Sequence, residues 1–270
     1  MKTRIIAGAV FVVVLALTFF FAPLAVTAVT MALMTALASY ELLYTTGLVR
    51  SIRLNVYSAL MSVLVVLWSY LGSAYAPMIL GILLYLMLLF SELLLSSGKT
   101  PVAQVGYCLL SGLLIPCMLS SLLRIRAWTD GQLLLLVPFI MAYCSDTGAY
   151  FVGVTMGKHK MCPNISPKKS WEGFIGGIAI AVLGMVAFGL VLDKACGMNV
   201  NYALTVVYGL VGSLGSVFGD LSMSVIKRQT GIKDYGKLIP GHGGILDRFD
   251  SVMITAPLTE ALLLIIPFVL

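Results

Sequence analysis

Residues 76–95 read APMILGILLYLMLLFSELLL. A single side chain in this run, Glu92, carries charge, and it stands near the end. At about 1.5 Å of rise per residue, such a run coiled as a helix is about 30 Å long, the thickness of a bilayer's hydrocarbon core. Inside that layer a helix satisfies every backbone N–H and C=O from within one segment, which an open strand cannot do. Pro77 is no obstacle, because its missing N–H falls in the first turn, where no partner is available anyway. The stretch is read as a membrane-crossing helix.

Helix breakers and charges divide the rest of the chain into similar runs. They are Ile5–Phe21, Leu24–Tyr44, Tyr57–Leu71, Val102–Leu123, Gln132–Val152, Trp171–Leu192, Asn201–Arg228 and Val252–Leu270, giving nine spans in all. Of 270 residues, 60% are hydrophobic and 10% are charged. A soluble domain carries about 25% charged residues, so a soluble enzyme, a nucleic-acid-binding module and a disordered tail are all disfavoured. The sequence predicts an all-α, polytopic transmembrane helical bundle of about nine spans. Residues 1–130 are expected to be scaffold, and residues 131–270 a catalytic region with cytoplasmic loops at 153–170 and 229–251. Lys2 and Arg4 before the first run also suit a signal peptide. The run leads straight into a second span with no A-x-A site between, so it is read as retained.

With the N-terminus inside, fourteen of the seventeen basic residues fall on the cytoplasmic side; only Arg124, Arg126 and Lys194 fall opposite. That bias follows the positive-inside rule and explains the net charge of +6 without nucleic acid. The reading makes the protein an integral, multi-pass membrane protein, of the bacterial inner-membrane type, with its site facing the cytoplasm. The five cysteines form no CxxC pair and read as buried thiols.

Charge concentrates in two windows, 146–172 and 220–250, which hold six of the eleven acids, nine of the bases and both histidines. The first 140 residues read as scaffold and lipid contact. Glu41 and Glu92 interrupt apolar runs there, and each is expected to reach the interface from a span end in a structural role. Ionisable groups within spans are costly and usually face a cavity or a partner. Asp146 in the sixth span and Asp220 in the eighth are therefore expected to line a polar cavity. Asp220, Ser224 and Lys227 stand at i, i+4 and i+7, so one helix face carries a carboxylate, a hydroxyl and an ammonium in series.

The first basic loop carries Lys158, Lys160 and then Ser166-Pro167-Lys168-Lys169. Ser166 before Pro167 fits an N-cap with proline at the first helical position. Lys168 and Lys169 beside that helix start would reinforce anion binding. Lys158 and Lys160 suit phosphate binding or contact with lipid headgroups equally well. The second window, 224–251, reads SVIKRQTGIKDYGKLIPGHGGILDRFDS. Lys227, Arg228, Lys233 and Lys237 supply charge for several phosphates. Gly241, Gly243 and Gly244 around His242 form a tight turn that lets backbone approach a ligand. Asp247, Asp250 and Ser251 share a face at helical spacing. Carboxylates amid phosphate-binding cations suit a Mg²⁺–triphosphate site. There is no Walker A sequence and no dinucleotide-binding glycine pattern.

This segment resembles the signature of the phosphatidate cytidylyltransferases, S-x-x-K-R-x4-K-D-x4-hydrophobic-P-G-H-G-G-x-x-D-R-x-D-S. Ser224, Lys227, Arg228, Lys233, Asp234, Ile239, Pro240, Gly241, His242, Gly243, Gly244, Asp247, Arg248, Asp250 and Ser251 match it. The stretches Ser145–Tyr150 and Ser166–Gly173 also look like the family's, whereas the first 130 residues match only in hydropathy. The resemblance implies conversion of CTP and phosphatidate to CDP-diacylglycerol and pyrophosphate. It implies Asp220 and Asp247 as ligands of Mg²⁺, with room for a second metal ion. Lys227, Arg228 and His242 join them as catalytic residues. Ser224, Lys233, Asp234, Lys237, Gly243, Gly244, Arg248, Asp250, Lys168, Lys169 and Asp146 are the substrate-binding set. Membrane lipid is a further expected partner, and a homodimer suits a bundle of this size. The alternatives are a CTP-dependent lipid kinase and a transporter of anionic lipid.

Overall fold

The computed structural model describes the backbone of residues 2–72, 75–97, 99–238, 241 and 243–269, and side chains from Gly8 onward. Every expected apolar run forms helix over most of its length, but the last, expected to reach Leu270, is helical only to Ile265. In chain order the helices are α1 (Gly8–Phe21, the apolar part of a helix that starts at Lys2), α2 (Leu24–Thr45), α3 (Ile52–Leu71), α4 (Tyr75–Leu95), α5 (Ala103–Arg126), α6 (Gly131–Met156), α7 (Trp171–Cys196), α8 (Tyr202–Gln229) and α9 (Val252–Ile265). Among the described residues, seven of these, α2 to α8, are long and apolar enough to cross a membrane, whereas α1 and α9 are shorter. The chain is an all-α polytopic bundle. It divides into two compact units, Met1–Gln132 with Gln229–Phe249, and Leu133–Arg228 with Asp250–Leu270.

In the first unit, α2 packs along α3, and a core of Leu43, Leu54, Met61, Val65, Tyr85, Leu89 and Cys108 fills the space among α2 to α5. The Tyr85 hydroxyl, buried in that core, donates to the Cys108 carbonyl at 2.8 Å and lies 2.9 Å from Ser58 Oγ. Hydroxyl pairing of this kind joins helices where water is absent. Two π turns matter to the geometry. One, Leu110–Leu114, sits just before Pro116 in α5; proline supplies no N–H to the carbonyl four residues back, and the ladder re-registers. The other, Glu41–Thr45, ends α2. Arg126 Nε donates to the Phe19 carbonyl at 2.8 Å, answering an acceptor at the end of α1.

In the second unit, α6 and α7 make the most extensive helix pairing. Small residues allow it: a Cβ at Gly177 would stand 2.8 Å from the Ser145 carbonyl oxygen, so only glycine permits the approach. Ser145 and Ser213 share a hydrogen bond of 2.8 Å between α6 and α8, and Thr255 Oγ1 donates to the Pro138 carbonyl at 3.0 Å, tying α9 to α6. The loop before α7 departs from expectation. Ser166 does not cap a helix. It opens a strand, β2 (Ser166–Ser170), that pairs antiparallel with β1 (Lys160–Cys162). The helix begins after Ser170, whose side chain accepts from the Gly173 N–H at 3.2 Å. The sequence offers two serines before the apolar run, and the one whose hydroxyl reaches a free N–H two to three residues on is the cap.

Candidate active site

The second unit contains a pocket lined by Asp146, Ala149 and Tyr150 of α6, Met161, Lys168, Lys169 and Ser170 of the hairpin, Gly173 and Phe174 of α7, and Val217 and Asp220 of α8. Its polar side is built by three elements, of which α6 delivers Asp146. α8 delivers Asp220, and β2 delivers Lys169, whose Nζ stands 2.6 Å from Asp220 Oδ2. The other carboxylate oxygen, Oδ1, accepts from Ser224 Oγ one helical turn on, at 3.3 Å. Lys227 follows on the same helix and is 9% exposed, whereas Phe218 is 64% exposed. The polar face of α8 therefore turns inward, and apolar residues cover its outer side.

Asp146 belongs to the same cluster. Its two oxygens accept from Ser216 (3.4 Å) and Ser251 (3.2 Å), and its charge faces those of Asp220 and Lys169. Asp250 stands just before α9 and accepts from the Ser251 N–H at 2.9 Å. Burial, with the Asp220 charge second, pushes the Asp250 carboxyl up to about 7. Three carboxylates thus repel one another across a small volume, countered by Lys169 and Lys227. Arg228 Nε donates to the Ile165 carbonyl at 3.0 Å, so that arginine holds the hairpin. Lys168 is exposed at the pocket. At the hairpin's base, Glu172 accepts from the Lys158 and His159 N–H groups and pairs with His159 Nδ1 at 2.6 Å.

In the first unit, the described residues of 230–249 form a loop closed by a helical turn, Leu246–Phe249. Asp247, 7% exposed, organises it: Oδ2 accepts from the Tyr235 N–H at 2.7 Å and the Gly244 N–H at 3.0 Å. Gly241 and Gly243 have φ of 76° and 87°, the left-handed conformation the tight turn requires. Gly244 also fits the expectation of close backbone approach, but the approach is to the protein's own Glu41: a Cβ there would lie 2.3 Å from the carboxylate. Lys233, Asp234, Lys237 and Arg248 are exposed on this loop. His242 and Pro240 lie outside the described residues. The turn Leu246–Phe249 ends before Asp250, so Asp247 and Asp250 are not carried by one regular helix.

Glu41 is the residue that the sequence reading placed wrongly. It does not reach the interface but is 4% exposed, with Oε1 accepting from the Ile245 N–H at 3.0 Å and Oε2 from the Leu246 N–H at 2.9 Å. Glu92 pairs with Arg53 at 3.4 Å. Both glutamates interrupt apolar runs alike, and nothing local in the sequence separates them.

The donor set suits Mg²⁺. No group of three or more His, Cys, Asp or Glu side chains among the described residues forms an all-protein metal cage, but Mg²⁺ commonly takes one or two carboxylates and completes its shell with water and phosphate. Mutually repelling carboxylates at Asp146, Asp220 and Asp250 are an environment that a divalent cation would relieve.

A helical membrane bundle carrying a carboxylate–lysine pocket and a glycine-turn loop rich in exposed cations defines an integral-membrane enzyme class that handles phosphates. The sequence pattern of the Cytidylyltransferase family matches residues 2–266, and the chain belongs to that family. It is 37% identical over 177 residues to a protein of Staphylococcus haemolyticus named phosphatidate cytidylyltransferase, a match covering 66% of each chain. A protein of the same name from Staphylococcus epidermidis is 36% identical over 184 residues, 68% of each chain. One from Staphylococcus aureus is 37% identical over 177 residues, again 66% of each. The alignments thus span about two thirds of the relatives' length.

Proposed function

We propose that this protein condenses CTP with phosphatidate to give CDP-diacylglycerol and pyrophosphate. The observation that carries this reading is the Lys169–Asp220 pair in a pocket built from membrane-length helices. Charge in such a pocket suits an anionic lipid headgroup that meets a nucleotide from the aqueous side. A phosphate oxygen of phosphatidate is already anionic at neutral pH, so attack on the α-phosphorus of CTP needs no strong base. The oxygen forms a bond to that phosphorus as the bond to the β-phosphate oxygen breaks and pyrophosphate leaves. The obstacle is repulsion between two anions, and catalysis of this kind is mainly positioning plus electrostatics.

Each residue set has a task in this scheme. Lys168 and Lys169 draw the lipid phosphate to the pocket. Lys227 supports the charge of the α8 face, and Arg228 keeps the hairpin in place. Lys233, Lys237 and Arg248 bind the nucleotide's phosphates, and His242 donates a hydrogen bond to one of them. Asp220, with Asp146 and Asp250 beside it, would hold Mg²⁺, whose charge would screen the triphosphate and ease departure of pyrophosphate. A metal role for Asp247 would fall to its Oδ1, since Oδ2 serves the loop. The site faces the cytoplasm, from which CTP comes.

The test is turnover by purified protein, with CTP radiolabelled at the α-phosphate, and phosphatidate in mixed micelles. Label passing into the organic phase with stoichiometric pyrophosphate is expected. Label staying in water while a γ-labelled CTP marks the lipid would replace this reading with that of a lipid kinase.

A further inference from the structure

We propose that Glu41 is a positioning residue of the reaction, a clasp through which the second helix sets the shape of loop 235–249. The proposal rests on the functional reading above for its kinetic consequence and on the first unit alone for its geometry. A buried carboxylate is costly unless hydrogen-bonded. Glu41 meets that condition through two consecutive backbone N–H groups, Ile245 and Leu246, one on each oxygen. These are the N–H groups at the start of the turn Leu246–Phe249, which have no partner within it. A planar carboxylate receiving two parallel donors fixes direction as well as distance.

Three further observations make this more than a helix finding a partner. The π turn Glu41–Thr45 widens α2 where it meets the loop, a distortion frequently found at functional sites. One turn after Glu41, the Thr45 hydroxyl donates to the Tyr235 carbonyl. The loop backbone also lies directly on the carboxylate: a Cβ at Gly236 would stand 2.5 Å from Glu41 Oε1. Tyr235 is itself tied to Asp247. Glu41 is therefore bonded to one end of the segment that presents Asp247 and Arg248 and packed against the other, where Thr45 supplies the hydrogen bond, and it touches neither substrate in the proposed scheme. A glutamine would keep one acceptor and turn its amide against the other N–H. An alanine would leave both N–H groups buried and unanswered.

The experiment compares native full-length protein with Glu41→Gln and Glu41→Ala in detergent micelles, by hydrogen–deuterium exchange and by kinetics with CTP. Exchange should quicken in peptides covering 235–249 and stay unchanged in α3 and α4. KM for CTP should rise about 10-fold in the Gln variant and roughly 100-fold in the Ala variant, more than kcat falls. A merely structural residue would lower kcat in proportion to the folded fraction, with KM constant; that result overturns the proposal, as does unaltered exchange in 235–249. Should Glu41→Ala not fold, Glu41→Gln decides by the same two readouts. If native protein does not consume CTP, the functional reading falls, and exchange in Glu41→Gln still decides the clasp.

Discussion

Around residues 235–249, Glu41 and Asp247 give their oxygens to four backbone N–H groups, those of Tyr235, Gly244, Ile245 and Leu246. In and beside the pocket of the second unit, Asp146, Asp220 and Asp250 face serine hydroxyls, Lys169, Lys227 and one another, and among the described residues the Ser251 N–H is a backbone donor to Asp250. Both sets are carboxylates largely withdrawn from water, and their chemistry differs. An N–H belongs to the chain and cannot leave, so the first set shapes backbone. A hydroxyl or an ammonium on a flexible stem can turn aside, so the second set can exchange partners for a cation or a substrate. On the proposed reading, a structural acid is told from a functional one by the donor it meets and not by its burial.

The sharpest way to break this comparison is to neutralise one acid of each set. Asp220→Asn should lower kcat/KM on the order of 10²–10³-fold, and raised Mg²⁺ should not restore it, because the neutral amide binds a cation weakly and forms no ion pair with Lys169. Asp247→Asn keeps an oxygen able to accept from Tyr235 and Gly244, so it should lose less, about 10- to 150-fold. Mg²⁺ titrations of CDP-lipid formation measure both. A larger loss at Asp247 than at Asp220 would show that the loop acid acts on the chemistry directly.

A second difference concerns stability against pH. Burial, with the Asp220 charge second, pushes the Asp250 carboxyl up to about 7 in the folded protein, against about 3.9 in an unfolded chain. Between those values the native state binds more protons than the unfolded one, so stability falls as pH rises through that window and levels off above it. With chelator present, native protein should melt lower at pH 8 than at pH 5. Asp250→Asn should flatten most of that slope and gain on the order of 4 kcal/mol at pH 8. Glu41→Gln should lower the melting temperature at every pH. A flat native profile would remove Asp250 from the strained cluster.

The helices were legible because twenty apolar residues in a row have one stable form in a bilayer. The polar face of α8 was legible too, since Asp220, Ser224 and Lys227 lie at helical spacing, and spacing fixes a face. What sequence did not disclose are the long-range donors. The bonds from Ile245 and Leu246 to Glu41 cross about two hundred residues, and periodicity carries no information at that range. The hairpin at 160–170 was missed for another reason: the four polar residues of β2 flank a proline that reads equally well as the first turn of a helix. The choice is made by which serine hydroxyl meets a free N–H.

That choice supplies the smallest test, and it sets pocket geography against donor identity. Ser170 lines the pocket, yet its hydroxyl answers to backbone, accepting from the Gly173 N–H at 3.2 Å. By the rule that separates the two carboxylate sets, it should behave as a shaping group despite its address. Ser170→Ala leaves a first-turn N–H without its cap, a loss of about 1 kcal/mol. For a chain of this size that lowers the melting temperature by about 2–4 °C. Ser166→Ala removes no cap, because Ser166 opens β2, and it should shift the melting temperature by less than about 1 °C, as surface substitutions usually do. Calorimetry of the two variants side by side measures the difference. Equal shifts would return the helix start to Ser166. A Ser170→Ala variant with native melting and lowered turnover would show that the hydroxyl serves the substrate, and that position in the pocket outranks the donor it meets.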